Sequence, residues 1–495
     1  MDITEKSVLL AKSNNDQVKK HRTFTSGLSS LFAIICIVDV FGVFPIVALP
    51  KSIIDCGIYG IVVICVVSTL QIYTASLLGR CWLIAEQIDP DVESKSRYPY
   101  SALAELTFGK RFSKVVTFFL DITIFTGGIP NLLVASQTLQ LLGRRVSENH
   151  LDLSFCYWII VIGTLLCPLL WLGSPKDMKL LCTLSVTFVL GTFILVITSM
   201  LFDNRIISND STNPGINRSI WTNMLTAYGI ITFQFDIHPT ILTIHVDMDE
   251  KKKITKVIIV GFLASLSMFA ISTSIAYWRY GTGAKPSLLG SLPSSIALHF
   301  AALLVALQLC LTLAVSNSAL YQHLEDCLGI SREFNHRRCI LRTALSAIAI
   351  LIAEAVPQFD IVMALIGGTF IGPLVFVLPP LFYIRIRLLK RKHEGELQLA
   401  VFNNIVYNST TPSIASTSSQ PASDNLMIQS PRSPNDTHPD QNYFQTNLQT
   451  TLALLVILFG LCFTIGATYL NISNVIAFTS FSQPCIYNLT LLSPF

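Results

Sequence analysis

The sequence predicts an all-α polytopic membrane protein, and three features of the chain lead to this fold class. Of its 495 residues, 52% are hydrophobic and only 13% are charged, whereas roughly a quarter of the residues in a soluble globular domain are charged. The mean hydropathy is +0.58. Apolar stretches of roughly 20 residues, the length that a helix needs to cross a bilayer, recur along most of the chain. The lipid bilayer is therefore the expected solvent for most of this protein.

The apolar stretches number about eleven and divide the chain into a core and flanking segments. They lie at 28–50, 58–84, 115–142, 155–172, 180–202, 224–246, 254–278, 295–320, 342–357, 361–384 and 450–470. The first ten form the predicted core, 28–392. Residues 1–27 are polar and lack the apolar segment of a signal peptide, which predicts a cytosolic tail. Residues 393–449 are rich in Ser, Thr, Pro, Asn and Gln, which predicts a disordered cytosolic loop before the last span at 450–470.

The distribution of Lys and Arg predicts the orientation, because short basic loops stay in the cytosol. Basic clusters lie at 19–22, 251–256, 337–342 and 385–392, and an alternating count of spans places all of them on the side of the amino terminus. The same count places the loop at 203–221 outside, where sequons at Asn209 and Asn217 predict glycosylation. Residues 471–495 are predicted as an extracellular or luminal tail, with sequons at Asn471 and Asn488.

The composition and motifs argue against several other functions. Subtracting 30 acidic from 34 basic residues gives a net charge of +4, and no basic tract interleaved with aromatics suggests a nucleic-acid partner. The cysteines mostly lie inside the apolar stretches and form no CxxC pair, so we predict no metal site. The chain has no Gly-x-Ser-x-Gly elbow, no zinc-binding His pair and no phosphate-binding glycine loop. We therefore predict no enzyme activity and no cofactor.

The first span is predicted to be broken. A carboxylate at Asp39 is followed by Gly42, Pro45 and Pro50 inside an otherwise apolar run. Proline removes a backbone donor and glycine tolerates unusual dihedral angles, so residues 42–45 are expected to unwind or kink. Freed backbone groups cannot face lipid and must line protein or a watery cavity. A plain proline kink is the alternative interpretation.

A second break is predicted in the sixth span, where Gln234, Asp236, His238 and Pro239 fall at membrane depth and His245 follows. An ionised side chain at the bilayer centre costs about 3 kcal/mol on insertion scales, so these groups are expected to face a cavity or one another. Two broken spans separated by four others match the inverted-repeat pattern of secondary transporters, which bind substrates at the midplane.

Six stretches of the chain carry a resemblance to a known family. They are Gly42 to Pro50 with Gly57, Tyr98 through Gly109, Pro168 through Lys179, Gly229 to Met248, Tyr277 to Gly281 with Leu292-Pro293, and Val356 through Pro379. Their order and spacing resemble the amino acid/auxin permease family, which includes vesicular inhibitory amino-acid transporters and proton-assisted amino-acid transporters. The resemblance implies a leucine-transporter-like fold of eleven spans with a five-plus-five inverted repeat.

The resemblance also implies an amino-acid site between the first and sixth spans. It points to a substrate pocket made by Gly42, Val43, Phe44, Phe233, Gln234 and Phe235. The three phenylalanines are equally compatible with a packing role, because aromatic residues are common in spans.

Candidate proton carriers are Asp39, Asp236, Asp121 and His245, of which Asp39 is the leading one, since carboxylates at membrane depth serve as proton relays. Many relatives carry an amide in place of Asp39 and a carboxylate in place of His245, which suggests that the two residues are coupled. A carboxylate bound permanently to unwound backbone is the structural alternative. Lys51 replaces the usual aromatic residue, and it either extends to the interface or attracts an acidic substrate.

A sodium site is a further candidate, because Ser316, Asn317 and Ser318 in the eighth span offer the oxygen ligands that a hard cation prefers. Hydroxyl groups in spans more often bond to helix backbones. Since Asp39 replaces a neutral residue of sodium-coupled relatives, protons are ranked above sodium.

The sequence therefore predicts a secondary active transporter, a symporter or antiporter, of neutral amino acids or related amines, coupled to protons and working by alternating access. The alternative from another functional class is a membrane-resident amino-acid sensor that carries little or no flux of amino acids. The plasma membrane and the membrane of an acidic organelle or vesicle are both compatible locations.

Overall fold

The computed structural model describes residues 28–92, 98–147, 153–171, 178–203, 219–331, 334–356, 358–410 and 439–478. Within these ranges the chain is almost entirely helical and contains no β-strand, which confirms the all-α polytopic fold class. The α-helices are α1 Ser30–Phe41, α2 Phe44–Val47, α3 Leu49–Ile54, α4 Ile58–Ile88, α5 Pro99–Phe108, α6 Lys110–Val146, α7 Phe155–Trp171, α8 Met178–Leu201, α9 Ile220–Gln234, α10 His238–Asp247, α11 Ile254–Tyr280, α12 Ile296–Cys327, α13 His336–Ala355, α14 Phe359–Ile366, α15 Leu378–Thr410 and α16 Pro439–Phe478. Two π-helical segments, Gly367–Ile371 and Pro373–Val377, join α14 to α15.

Among the described residues, 7 helices are long and apolar enough to cross a membrane. They are Ile58–Ile88, Lys110–Val146, Leu180–Leu201, Lys251–Gly283, Ile296–Cys327, Phe359–Glu396 and Leu448–Ile476. The other predicted spans do not meet these limits of length and hydropathy, and the structure shows why. The first and sixth are broken into α1–α3 and α9–α10, α7 has only 17 residues, and α13 carries three arginines and a glutamate. The count of eleven stays a prediction.

Two of the basic clusters, 251–256 and 385–392, lie on one face of the helix bundle. Lys251 Nζ lies 2.5 Å from Glu86 Oε1 at the end of α4. Lys390 Nζ donates to Gln87 Oε1 over 3.0 Å, so α15 ends beside the same helix. The start of the described chain joins them, because Leu28 N–H donates to the Asp247 carbonyl over 2.7 Å. We refer to this side of the bundle as the basic face.

A buried ion cluster fixes α13 against α12. Arg342 Nε lies 2.6 Å from Glu325 Oε1, and Arg338 Nε lies 3.1 Å from the same oxygen. Arg342 and Glu325 are each 1% exposed, and Arg342 also donates to the carbonyl of Leu170 at the end of α7. Removing one partner from a buried ion pair costs about 3–5 kcal/mol, because the other charge is left unpaired. These charges therefore serve packing between helix ends.

The opposite face is held by hydrogen bonds between helix ends. Lys51 Nζ donates to the Thr282 carbonyl over 2.9 Å. Asn223 Nδ2 donates to the Asp55 carbonyl over 3.2 Å, which connects the start of α9 to the end of α3. With the amino terminus in the cytosol, as the charge distribution predicts, this is the outer face.

Several predictions concern segments at the edge of the described ranges. Helical residues reach into both ends of the predicted loop 393–449, since α15 runs to Thr410 and α16 begins at Pro439. Asn209, Asn217, Asn488 and residues 1–27 lie outside the described residues. Asn471 is 1% exposed and its Nδ2 donates to the Ala364 carbonyl over 3.0 Å. This amide is therefore a packing contact between α16 and α14.

Candidate substrate site at two broken helices

The first predicted break lies between α1 and α2. Gly42 has φ +60° and ψ −147°, a conformation that strongly favours glycine, and its N–H closes α1 by donating to the Val38 carbonyl over 3.0 Å. The next two amides, of Val43 and Phe44, have no hydrogen-bond partner within the described chain. Pro45 and Pro50 follow inside α2 and α3. The backbone amides of Val43 and Phe44 are therefore unpaired in this conformation of the described chain.

The second break lies between α9 and α10. Helix α9 ends at Gln234 and α10 begins at His238, with Pro239 in its first turn. Asp236 stabilises the new start, because its Oδ1 accepts the His238 N–H over 3.1 Å. The carbonyl end of α9 and the amino end of α10 therefore meet inside the bundle, as the sequence predicted.

The two breaks contact each other directly. Gln234 Nε2 donates to the Phe41 carbonyl over 2.7 Å, and both groups are buried. The rings of Phe44 and Phe233 pack edge to face with centroids 6.3 Å apart. Gly127 of α6 lies beside this pair, since a Cβ there would lie 4.0 Å from the Phe233 ring. Val43, Phe44, Phe233 and Gly127 therefore mark the candidate substrate site, which we refer to as the chamber.

Phe235 differs from the other predicted pocket residues. It is fully buried in an aromatic cluster with Phe41 and Phe262, with ring centroids 5.0 Å and 5.9 Å away. Phe41 and Phe262 are themselves 4.9 Å apart. In this conformation the Phe235 ring therefore packs the end of α1 against α11 and is enclosed by protein.

Sequence reasoning missed Gln308, which lies behind the first break. Its side chain is fully buried in α12, and Nε2 donates to Thr312 Oγ1 over 2.9 Å and to Ser185 Oγ over 3.4 Å. The same nitrogen lies 2.8 Å from the position that a Cβ would take at Gly42. A lone glutamine in the apolar run of the eighth span was the available signal.

Asp39 faces α8 from the last turn of α1. The side chains of Ser185 and Cys182 lie within hydrogen-bonding reach of its carboxylate, while Oδ1 is buried without a partner. Because Ser185 also accepts from Gln308, one hydroxyl lies between the predicted proton carrier and the amide that contacts Gly42. Asp39 is thus joined to the substrate break through side chains of two neighbouring helices.

The second candidate carrier, Asp236, forms a short chain of polar groups with His238 and Thr74. Asp236 Oδ1 lies 3.5 Å from His238 Nδ1, and His238 Nε2 shares a hydrogen bond of 2.9 Å with Thr74 Oγ1. His238 is fully buried. This chain connects the α9–α10 break to α4.

His245 has different partners from those of Asp39. Its Nε2 shares a 2.9 Å hydrogen bond with the Lys251 carbonyl near the basic face. Neither a hydrogen bond nor an ion pair joins His245 to Asp39, both of which the structure describes. Their predicted coupling has no direct contact to carry it in this conformation.

Asp121, the remaining carboxylate candidate, lies in a triad that the sequence did not indicate. Tyr98 Oη donates to Asp121 Oδ1 over 3.1 Å, and His323 Nδ1 lies 2.9 Å from Asp121 Oδ2. The rings of Tyr98 and His323 are 5.3 Å apart. The histidine is 202 residues away from the aspartate along the chain, so only the fold brings them together.

The three residues of the candidate cation site point in different directions from α12. Ser316 is exposed at the protein surface. Asn317 packs against Gly128 and lines a cavity between α6, α7, α12 and α13. Ser318 Oγ accepts from Gln322 Nε2 over 3.0 Å. The structure does not bring their oxygen atoms to one point, because successive residues on a helix are about 100° apart.

Comparison with known proteins identifies the family of this chain. A family model described as transmembrane amino acid transporter protein matches residues 27–415. The chain belongs to this family. Amino acid transporter AVT1J of Arabidopsis thaliana is 22% identical over 351 residues, which are 69% of this chain and 79% of that relative. AVT1H of the same plant is 23% identical over 321 residues, 64% of this chain and 72% of the relative.

A third relative is sodium-coupled neutral amino acid symporter 2 of Danio rerio. It is 28% identical over 260 residues, which are 48% of this chain and 51% of the relative. The chain thus matches about half the length of that protein. Together with the apolar helices, the family establishes an integral multi-pass membrane protein of an amino acid transporter family.

In this member of the family, the tenth predicted span packs tightly behind the sixth. A Cβ at Gly229 would lie 2.3 Å from the Ala364 carbonyl oxygen, so the backbones of α9 and α14 are in contact. The π-helical turns follow at once, and Tyr100 Oη donates to the Leu374 carbonyl over 2.6 Å. π-Helical turns are frequent at functional sites.

Proposed function

We propose that this protein is a secondary active transporter of neutral amino acids or related amines, coupled to protons and working by alternating access. The observation that carries the proposal is the meeting of two broken helices, bridged by the hydrogen bond from Gln234 to the Phe41 carbonyl. Transporters use such breaks at the midplane because irregular backbone offers both donors and acceptors to a substrate. The names of the Arabidopsis relatives support amino acids as the substrate class.

The chamber offers complementary groups to each part of an amino acid. The amides of Val43 and Phe44, which have no hydrogen-bond partner in the described chain, would donate to the carboxylate. The carbonyl end of α9 carries partial negative charge, which favours the ammonium group. The rings of Phe44 and Phe233 would enclose an apolar side chain. A neutral amino acid therefore satisfies all three kinds of group.

Alternating access would move α1 and α10 relative to the helices behind them. On the basic face, Leu28 N–H donates to Asp247 O over 2.7 Å and the Asp249 N–H donates to Leu28 O over 3.1 Å. These two bonds hold the start of α1 against the end of α10, so this side is closed. The outer side has a cavity beside α3, and opening the basic face requires the two bonds to break.

Asp39 is the proposed proton carrier. A carboxylate at membrane depth is expensive when charged and is relieved by protonation, so proton binding and release there couple to a conformational change. Its carboxylate contacts Ser185, and Ser185 accepts a hydrogen bond from Gln308, which lies beside Gly42. Protonation of Asp39 would therefore act on the substrate break through these two side chains. Asp236 and Asp121 are rival carriers.

The test is uptake by the purified full-length protein in proteoliposomes. Radiolabelled L-alanine and other neutral amino acids are presented at an acidic exterior, and the pH gradient is then collapsed with a protonophore. We expect uptake above the external concentration that disappears with the gradient. Saturable binding without any flux would contradict transport and favour the sensor.

Sodium coupling is the second candidate, because one relative is named as a sodium-coupled symporter. The same vesicles distinguish the two ions when external sodium is replaced by choline at constant pH. Proton coupling predicts unchanged uptake after this replacement. Loss of uptake would instead support a sodium-coupled transporter.

A further inference from the structure

The outer face carries a cavity that the proposed chamber does not include. Among the residues that line it are Ala48, Lys51, Asp55, Asn223, Thr226 and Asp360. The cavity holds about 490 Å³ of space, part of it open to solvent. We refer to it as the outer vestibule.

The wall of the outer vestibule carries one ammonium group, that of Lys51, and two carboxylates, those of Asp55 and Asp360. Lys51 Nζ lies 2.7 Å from Asp55 Oδ1 and donates to the Thr282 carbonyl over 2.9 Å. A lysine ammonium has three hydrogens, so one remains for a further acceptor. Asp55 is 42% exposed, which leaves its carboxylate accessible from the cavity. Neither Lys51 nor Asp55 is buried beyond the reach of a solute.

A polar group without a partner also lies at this cavity. Thr226 Oγ1, on α9, is buried and has no hydrogen bond, although a buried hydroxyl without a partner costs about 1–3 kcal/mol. Asn223 lines the same wall one turn earlier, with its Nδ2 donating to the Asp55 carbonyl. The vestibule therefore has both charged groups and an unused hydroxyl.

The floor of the vestibule lies directly above the substrate chamber. Ala48 and Ile230 line the vestibule. Each lies four residues outward from a residue at one of the two breaks, Ala48 from Phe44 and Ile230 from Gln234. Four residues of helix span about 6 Å. A solute in the vestibule is thus about one helical turn from the break.

We propose that the outer vestibule is a second binding site for amino-acid zwitterions, which they occupy before they enter the chamber. Lys51 and the Thr226 hydroxyl bind the carboxylate, and Asp55 binds the ammonium group. A zwitterion meets both charges, whereas a simple amine or a simple acid meets only one. The choice of an amino acid as ligand rests on the proposed function, but the site itself does not depend on transport.

The test uses Ser52→Cys in the full-length protein, because Ser52 lines the vestibule between Lys51 and Asp55. A membrane-impermeant thiol reagent modifies the new cysteine, and its rate is compared with that of the unsubstituted chain. L-alanine is the zwitterionic probe, with ethylamine and propionate as its single-charge counterparts. At an L-alanine concentration of twice its Kd, we expect the rate to fall to about a third.

Two further variants identify the groups and the site. Lys51→Met should remove the protection by L-alanine, while Lys51→Arg should keep it. Gly127→Leu fills the chamber beside Phe233, and protection of Ser52→Cys should persist in that background. In Ser52→Cys protein that keeps Gly127, protection by L-alanine without any L-alanine uptake would support the vestibule and contradict the transport proposal.

Three results would overturn the vestibule site. Protection that is equal for L-alanine, ethylamine and propionate would exclude recognition of a zwitterion. Protection that is unchanged in Lys51→Met would exclude the proposed lysine contact. Loss of protection in Gly127→Leu, in protein with an unchanged melting temperature, would show that the reagent reports occupancy of the chamber.

Discussion

The side-chain nitrogen of Gln308 lies 2.8 Å from the position of a Cβ atom at Gly42. Glycine is therefore required at this position for two separate reasons. Its φ of +60° is unfavourable for residues with a side chain, and its hydrogen faces an amide that leaves no room for a methyl group. The conformation of the substrate break at Gly42 and the position of the Gln308 side chain therefore depend on each other.

We predict that Gly42→Ala abolishes uptake. The methyl group must displace Gln308, which breaks its hydrogen bonds to Thr312 and Ser185. Gly57→Ala is a matched control, because Gly57 has a similar φ of +57° and no atom within 4 Å of its Cβ position. Both variants should lose about 1–2 kcal/mol of stability from backbone strain, but only Gly42→Ala should also lose transport.

Thermal unfolding in detergent and uptake in proteoliposomes measure the two effects separately. The double variant Gly42→Ala with Gln308→Ala removes the collision and should recover part of the stability. Equal uptake by Gly42→Ala and Gly57→Ala would show that the Gln308 contact has no role in transport.

We predict that Asp39→Asn abolishes uptake driven by a pH gradient but preserves exchange of labelled for unlabelled substrate. The amide keeps the size of the side chain and its contact with Ser185, whereas it cannot bind or release a proton. Uptake and counterflow in the same vesicles provide the measurement. Asp121→Asn and Asp236→Asn are the comparison variants, and a selective loss of pH-driven uptake in either would move the carrier to that residue.

Local sequence signals were sufficient to predict the two breaks. Gly42, Pro45 and Pro239 act on the backbone of their own segment, so their effects can be inferred without knowledge of the fold. The direction of a side chain cannot be inferred in this way, because it depends on which helix lies beside it. Phe233 faces Gly127 and the chamber, whereas Phe235, two residues later, is enclosed by Phe41 and Phe262.

Contacts between distant segments account for the features that sequence reasoning missed. Gln308 lies 123 residues from Ser185, and His323 lies 202 residues from Asp121. Hydropathy marks such residues as polar groups within apolar spans but gives no partner. The same limit applies to Asn471, where the sequence shows a glycosylation motif and the fold shows a buried contact with Ala364.

We predict that an oxidant can join α1 to α8 through two cysteines. Cys36 Sγ and Cys182 Sγ are 3.4 Å apart, and each is a free thiol. Copper phenanthroline with oxygen would take two electrons from the pair, release two protons and form one S–S bond of about 2.05 Å. If α1 moves relative to α8 during transport, this bond should block uptake, and a reducing agent should restore it.

Mass spectrometry of the oxidised protein verifies the cross-link, and Cys182→Ser is the control that should keep its uptake under the same treatment. Complete cross-linking with full uptake would show that α1 and α8 move together. The outcome therefore identifies which helices form the moving part.

The contact between α9 and α14 leads to a final prediction about packing. A methyl group at Gly229 would lie 2.3 Å from the Ala364 carbonyl oxygen, and one at Gly367 would lie 1.9 Å from the Gly229 carbonyl oxygen. Neither carbonyl can move without shifting its helix, so Gly229→Ala and Gly367→Ala should each destabilise the protein by about 1–3 kcal/mol. Gly283→Ala is the control, since no atom lies within 4 Å of its Cβ position. Melting temperatures in detergent measure the difference, and an unchanged melting temperature for Gly367→Ala would mean that the two backbones are further apart than described.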